Sequence, residues 1–397
     1  MRFQTLDDKN ECVAVYLSND KELKFSNVPD DVTSTWNYAP YLKGKDIQYA
    51  QLYCEGKKLD EVCPEHIKTD LNNINKRLKA LVRSFIEAKV SLSDNCFFEL
   101  VPQRFLKEYC NIKDQVTDHV FQTHDKPVNY EFLKQMSEML TDIKYRKLNI
   151  DLELLKQEIC NEETQKVYQK YSSTTPYIDY DLFGAITGRL SAKGFPILNF
   201  NKKHRHVLSP TNDFFVEIDF NAAEIRMAYA LCGNKQPDGD VYEILNNEYY
   251  NGELTRAEAK KKAIVWLYDE EQKDMRLEAV FNKKYLLDKH YNVDEVTTAY
   301  GRVIKVDERK AIPYLLQSSF IDLFHRQVLK VHKFLEHRNT FIPFMIHDCL
   351  YLDMCASEKH LIKDIVDVFS NTQYGKFNVK VKAGKKLSDM KELNLNG

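Results

Sequence analysis

The run Phe214-Phe215-Val216-Glu217-Ile218-Asp219-Phe220 carries strand-type apolar character up to an acid, and Asn221-Ala222-Ala223-Glu224-Ile225-Arg226 continues it with the pattern of a helix. This stretch constrains the chain more than any other. An acidic side chain at the end of a buried strand is costly unless something pairs with it. The chain must therefore fold so that a positive partner reaches Asp219, and a divalent cation is the partner that fits such a place.

At 397 residues the chain exceeds what one core usually serves, so two to four subdomains are expected. Charged residues make up 29% and hydrophobic residues 43%, the balance of a soluble globular protein. The net charge of −2 gives no global basicity, so a nucleic-acid partner would need a locally basic cleft. The nine cysteines are odd in number and form no CxxC pair. That argues for reduced thiols in a cytoplasm-like compartment and against a disulfide scaffold or a zinc site. The first residues have no apolar run behind a basic start, so no secretory signal is read, and no segment approaches the ~20 apolar residues of a membrane span.

Residues 1–64 read as a small β-containing region, with strands at Val13–Leu17 and Ile47–Tyr53 and a turn at Ser18-Asn19-Asp20. Asp7, Asp8 and Glu11 lie there in a polar segment that reads as a solvated turn. From 65 to about 170 the pattern is helical. Leu71, Ile74, Leu78, Leu81 and Ile86 form one stripe, decorated by Lys76, Arg77, Lys79 and Arg83. A charged helix face is usually solvated, and the alternative is an arm gripping a phosphate backbone. A second stripe, Phe132, Met136, Met139, Leu140 and Ile143, marks a helix over 130–148.

Thr187-Gly188-Arg189-Leu190-Ser191 offers a tight turn at Gly188 and a planar donor at Arg189. Leu254–Leu267 reads as a helix with Thr255 as N-cap. On it Arg256, Lys260, Ile264 and Tyr268 recur four apart and make one slowly winding stripe. Two cations, an aliphatic and an aromatic match the order of a triphosphate, a sugar and a base; a solvated basic helix is the plain alternative. Residues 269–297 read as charged and helical, and Thr298–Arg302 as a turn. Glu308–Phe334 reads as a long helix that Pro313 should perturb in its first turns, with Arg309 and Gln317 on a shared face. The apolar runs 341–346 and 349–352 flank His347-Asp348, which predicts a β-hairpin with that pair at its tip. Ser357–Phe369 reads as an amphipathic helix and Phe377–Val381 as a late strand.

Two carboxylates about 4 Å apart repel by roughly 4 kcal/mol at an effective dielectric of 20. A pair of Mg²⁺ ions, with Mn²⁺ able to substitute, turns that repulsion into binding energy, and oxygen ligation suits these ions rather than zinc. Two such ions serve an in-line displacement by activating a hydroxyl and stabilising a leaving pyrophosphate.

The ordered set TGRLS, IDFNAAEIR, the helix from Arg256 to Tyr268, ERKAIPYLLQ and IHD resembles the polymerase domain of the DNA polymerase I family (family A), from about Tyr177 to the C-terminus. The resemblance implies an α+β right-hand fold. Its helical thumb would span 65–170, its antiparallel-sheet palm 171–234 and 298–397, and its helical fingers 235–297. It implies a template-directed DNA polymerase acting on primer-template DNA and deoxynucleoside triphosphates by a two-metal-ion mechanism. Asp219, Asp348 and the Phe220 carbonyl would hold the metals. Arg256 and Lys260 would bind the triphosphate, with Lys260 giving a proton to pyrophosphate and Tyr242 near the phosphates. Glu224 would exclude a 2′-hydroxyl, Ile264 would face the sugar, and Tyr268 would sit by the nascent pair. Arg189 and Gln317 would read the minor groove near the primer end, with Arg309 nearby, and Arg226 and His347 would support the primer terminus and the metal site.

This sequence departs from the family's pattern at several places. Ile264 stands where Phe or Tyr is usual, Ala222 where Gln is usual, Asp269 where Gly is usual, Pro313 where Asn is usual and Cys349 where Glu is usual. About 60 residues before the thumb leave no room for a proofreading exonuclease, so no 3′–5′ exonuclease activity is expected. The compact architecture points to a phage or other mobile element, or to one half of a split enzyme, with a separate exonuclease, clamp or helicase as partners. Two other readings stand beside this one. A single-subunit RNA polymerase shares the palm, and Glu224 argues against it. A catalytically idle relic that binds duplex is favoured by the substitutions at Ile264, Pro313 and Cys349, and opposed by the retention of both carboxylates and both phosphate cations.

Overall fold

The computed structural model describes residues 2–6, 13–17, 21–24, 34–35, 48–90, 100–144, 146–269 and 272–394. The chain divides into two compact units, Met1–Tyr145 and Arg146–Gly397. The helical span read from 65 to 170 runs across the boundary at 145, with the helices Leu152–Gln157 and Glu162–Ser172 beyond it. Beyond it, Asn149–Ile150 pairs antiparallel with Leu208–Ser209, which ties that segment to the second unit.

In the first unit, Arg2–Leu6, Val13–Leu17 and Lys21–Lys24 form an antiparallel sheet. Asp7, Asp8, Glu11 and the turn at 18–20 lie outside the described residues. The strand expected at Ile47–Tyr53 is only Gln48–Tyr49, followed by a helical turn, Ala50–Tyr53. Ala50 and Cys54, four apart, are buried with Val120, a helical period rather than an alternating one. Three longer helices follow, Glu65–Glu87, Gln103–Thr123 and Tyr130–Lys144. On the last, Phe132, Met136, Met139, Leu140 and Ile143 are all buried, as their spacing predicts. On the first, Leu71 and Ile74 are buried, but Ile86 is 66% exposed, so the apolar stripe outruns its cover. Arg77 is tied to Glu108 at 2.6 Å, while Lys76, Lys79 and Arg83 remain exposed.

The second unit is built on a five-stranded antiparallel sheet. Its order is Met345–Ile346, Cys349–Met354, Phe214–Phe220, Val379–Gly384, Lys391–Glu392. The central strand Phe214–Phe220 alternates its side chains between two faces. One face sends Val216, Ile218 and Phe220 into a core closed by the long helix Glu308–Phe334 and the helix Ile362–Ser370. Phe220 sits among Phe369, Phe320 and Phe377 with ring centroids 4.4, 5.7 and 6.0 Å away. The other face carries the polar residues described below.

The long helix runs unbroken through Pro313, its sixth residue. Proline at that depth cannot donate to the Arg309 carbonyl one turn back. Burial of Ala311, Ile312, Leu315 and Leu316 around it holds the helix regardless. The helix expected at Ser357–Phe369 is a 3-10 segment, Ala356–Leu361, followed by Ile362–Ser370. The late strand is shifted to Val379–Gly384. Residues expected to be helical up to 297 instead form helices Met275–Val280 and Lys283–His290 and a hairpin from Tyr291. Val293 and Asp294, at φ 39° and 60°, make its two-residue turn. Among the described residues no helix is long and apolar enough to cross a membrane.

Candidate functional site

The register of the sheet assembles the site. Cys349, Asp219 and Lys380 are paired across three neighbouring strands, and Tyr351, Glu217 and Lys382 form the next row on the same face. Glu217 is neutralised within its row by Lys382 and by the Tyr351 hydroxyl, which donates at 2.8 Å. Asp219, at the strand end, keeps solvent contact. The neighbouring hairpin turns through His347-Asp348, since Ile346 pairs with Cys349, and His347 takes φ 54°. The tip expected from the sequence is thus formed. Tyr180 fixes it from behind: its buried hydroxyl donates to the Met345 carbonyl at 2.5 Å and accepts from the Met345 N–H at 3.0 Å.

Asp219, Asp348, His347, Cys349, Ile346 and Arg189 line one open depression of about 470 Å³. The protein packed around the Asp219 carboxyl strips water from it, and the charges of Asp348 and then Glu217 add repulsion. Lys382 and Lys380 only partly oppose this, and the Asp219 pKa is pushed up to about 6. A carboxylate whose ionisation is opposed by burial and by a neighbouring carboxylate is a donor that a hard cation relieves. Among the described residues no cluster of three or more His, Cys, Asp or Glu is arranged to hold a metal. Ligation here would rest on two carboxylates and backbone oxygen, with substrate oxygens and water completing the shell, an arrangement Mg²⁺ accepts. Cys349 adds little, because burial and the charges of Glu217 and Asp219 hold its thiol well above its usual range.

Arg189 projects from the turn at Gly188, which takes φ 82°. A Cβ at Gly188 would lie 2.6 Å from Nη2 of Arg302, so the loop rests directly on that guanidinium. Arg302 is itself clamped by Asp322 of the long helix, at 2.6 Å from Nη2 and 3.3 Å from Nε. From this seat Arg189 brings Nη2 to 3.7 Å from Asp348, which makes it a rim cation of the depression.

The helix Ala223–Leu231 begins after Ala222 in a left-handed conformation, φ 51°. Glu224 stands in its first turn and accepts from the Tyr268 hydroxyl at 2.5 Å. The Tyr268 phenol is raised above its usual pKa by burial and by Glu224, and it feels the charges of Arg189 and Asp348 as well. The Tyr268–Glu224 pair therefore lies within electrostatic reach of the depression. Arg226, expected to support the primer terminus and the metal site, is held inside the protein. It is fully buried, and its guanidinium donates to the carbonyls of Asn221 at 3.1 Å, Pro237 at 2.9 Å and Gly239 at 2.7 Å.

Helix Arg256–Tyr268 starts at Thr255, whose side chain and Glu258 form a capping box. Ala259, Ala263, Trp266 and Leu267 are buried, which leaves Arg256 and Lys260 exposed, Ile264 half-buried and Tyr268 44% exposed on the other side. The expected stripe is thus presented outward. The Tyr242 ring lies 5.5 Å from the Arg256 guanidinium and 5.8 Å from the Lys260 ammonium. Burial and then the charge of Glu224 raise the Tyr242 phenol to about 12. Arg256 is also bound by Asp240, a residue the sequence reading missed, and Asp240 caps the helix Val241–Tyr249. On the long helix Arg309 is exposed and Gln317 half-buried; neither lines the depression.

No family model and no curated protein matches the sequence. The structure is similar to the POL domain of Pol1 from M. smegmatis, solved in complex with DNA primer-template and dNTP, at 11% sequence identity and a TM-score of 0.63. The match spans 98% of this chain and 95% of that one. At that identity the likeness is one of fold: the mixed helix-and-sheet architecture of this chain resembles that of a DNA polymerase's polymerase domain.

Proposed function

We propose that this chain is a template-directed DNA polymerase of the DNA polymerase I type that adds deoxynucleotides to a primer 3′-hydroxyl. The observation that carries the reading is the convergence of Asp219, from the central strand, and Asp348, from the tip of the neighbouring hairpin, on one open depression. The fold likeness to a polymerase domain bound to primer-template and dNTP supports it. In this reading the sheet and the long helix form the palm, residues 235–297 the fingers, and the helices after 65 the thumb.

Asp219, Asp348 and the Phe220 carbonyl would hold two Mg²⁺ ions, or Mn²⁺, which when bound supply charge stabilisation for an in-line displacement. The chain's own residues do the rest. Arg256 and Lys260 neutralise the triphosphate, and Lys260 gives a proton to the departing pyrophosphate. Tyr242 holds both cations on one side through its ring. Glu224, fixed by Tyr268, occupies the space a 2′-hydroxyl would need, and Ile264 packs beside the sugar. His347 and Arg189 at the rim, with Gln317 and Arg309 on the long helix, face the primer-template. Arg226 serves this arrangement from inside, by fixing the backbone after Asp219. We further propose that it acts without 3′–5′ proofreading.

Primer extension on four templates that differ only in the first unpaired base tests this reading. Incorporation that follows the template base, with deoxynucleotides preferred over ribonucleotides, is the expected result. Salt-sensitive duplex binding with no incorporation would mark an idle relic instead.

A further inference from the structure

We propose that Asp240 is a positioning residue for the incoming nucleotide: it holds Arg256 by the side edge of the guanidinium and leaves the outer end to the triphosphate. This rests on the polymerase reading above. The carboxylate of Asp240 does two things at once. Oδ1 accepts from the N–H groups of Tyr242 at 2.9 Å and Glu243 at 3.2 Å, which starts the helix Val241–Tyr249. Oδ2 accepts from Nε and Nη2 of Arg256 at 2.8 and 2.7 Å. Those two donors lie along one edge of a rigid planar fork, so the remaining N–H groups point away from Asp240 as a set. The Arg256 side chain is 52% exposed, and a solvated anion can reach it.

The clamp is itself anchored to the carboxylate site. Arg226 donates to the carbonyls of Pro237 and Gly239, just before Asp240, and Asn378 donates to Gly239 at 3.1 Å. The same guanidinium donates to the Asn221 carbonyl, two residues after Asp219. One buried arginine thus joins the end of the Asp219 strand to the loop that presents Asp240. The register between the metal carboxylate and the phosphate-binding cation follows from that join. Asp240 and Arg256 help hold each other charged: burial of Asp240 acts against its ionisation, but the bond to Arg256, the Arg256 charge and the N–H groups of Glu243 and Tyr242 together outweigh it, and Arg256 is raised by the same bond.

Asp240→Asn separates the two jobs, because asparagine caps a helix as well as aspartate does but carries no charge for Arg256. The variant should melt with the wild type. Its KM for deoxynucleotide should rise about fivefold, with kcat changing much less, as expected for a partly exposed charge pair that orients a binding group. In an Arg256→Ala background the same substitution should leave KM unchanged, since its only route is through Arg256. An unchanged or lower KM in Asp240→Asn, or effects that simply add to those of Arg256→Ala, would overturn the proposal while leaving an active wild type as a polymerase. A wild type that binds no deoxynucleoside triphosphate in a calorimetric titration would remove the polymerase reading and the proposal together.

Discussion

Glu224 and Arg226 stand two positions apart on one short helix and face different worlds. Glu224 meets the Tyr268 hydroxyl at the site, whereas Arg226 is enclosed among backbone carbonyls. Because the Glu224 carboxylate is fixed by a charged hydrogen bond, it is a stiff barrier rather than a mobile one. Glu224→Ala should lower the preference for deoxy- over ribonucleotides by about 100-fold, and Tyr268→Phe by about tenfold, in competitive single-nucleotide incorporation. Unchanged selectivity in Glu224→Ala would show that something else gates the sugar. Asp219 yields a prediction with a pH sign. Its folded value near 6 lies above the ordinary 3.8, so between these values the folded chain keeps a proton that the unfolded chain has lost. The stabilising contribution is full below the ordinary value and is lost as pH rises through 6. In metal-free buffer Asp219→Asn should therefore raise Tm by about 2 °C at pH 8 and by less at pH 5, read by thermal melting. A larger gain at pH 5 would contradict the assigned repulsion. The places of Asp219 on a strand, Asp348 at a hairpin tip and Glu224 in the first turn of a helix were legible in the sequence because their local pattern is sufficient. Asp240, Arg302 and Tyr180 were not, because their partners lie far along the chain or read locally as simple caps. The burial of Arg226 is set by the loop at 237–239, which no neighbouring residue announces.

Among elements, the central strand is the one on which the site depends. Its apolar face ends in Phe220, stacked at 4.4 Å on Phe369, one residue after Asp219. Phe220→Ala should cost about 3–5 kcal/mol of stability, by lost transfer and a cavity between sheet and helices, measured by denaturant unfolding. A loss under about 1 kcal/mol would mean that the core collapses freely there. The long helix and the capped helix Arg256–Tyr268 were readable from period and cap alone. Short elements were not. Gln48–Tyr49 gives way to a helical turn because Ala50 and Cys54 pack on one side, and the late strand shifts to Val379–Gly384 because its register is fixed by pairing with Phe215–Phe220. Pro313 is the instructive case: a local helix breaker is overridden by burial on the rest of the turn.

For the whole molecule, sequence and structure meet at different ranges. Five short motifs in order suffice to suggest the family, while the fold likeness spans 98% of the chain at only 11% identity. The division at Tyr145–Arg146 was not legible, since it depends on a strand pair between 149–150 and 208–209. Every other proposed role depends on Asp219 and Asp348 acting together at the depression. Single-turnover extension of a primed template, with Mg²⁺ and the next templated deoxynucleotide, tests it most directly. The wild type should extend the primer, and Asp219→Ala and Asp348→Ala should each reduce the rate by at least about 1,000-fold while still binding the duplex. Extension at the wild-type rate by either variant would contradict it.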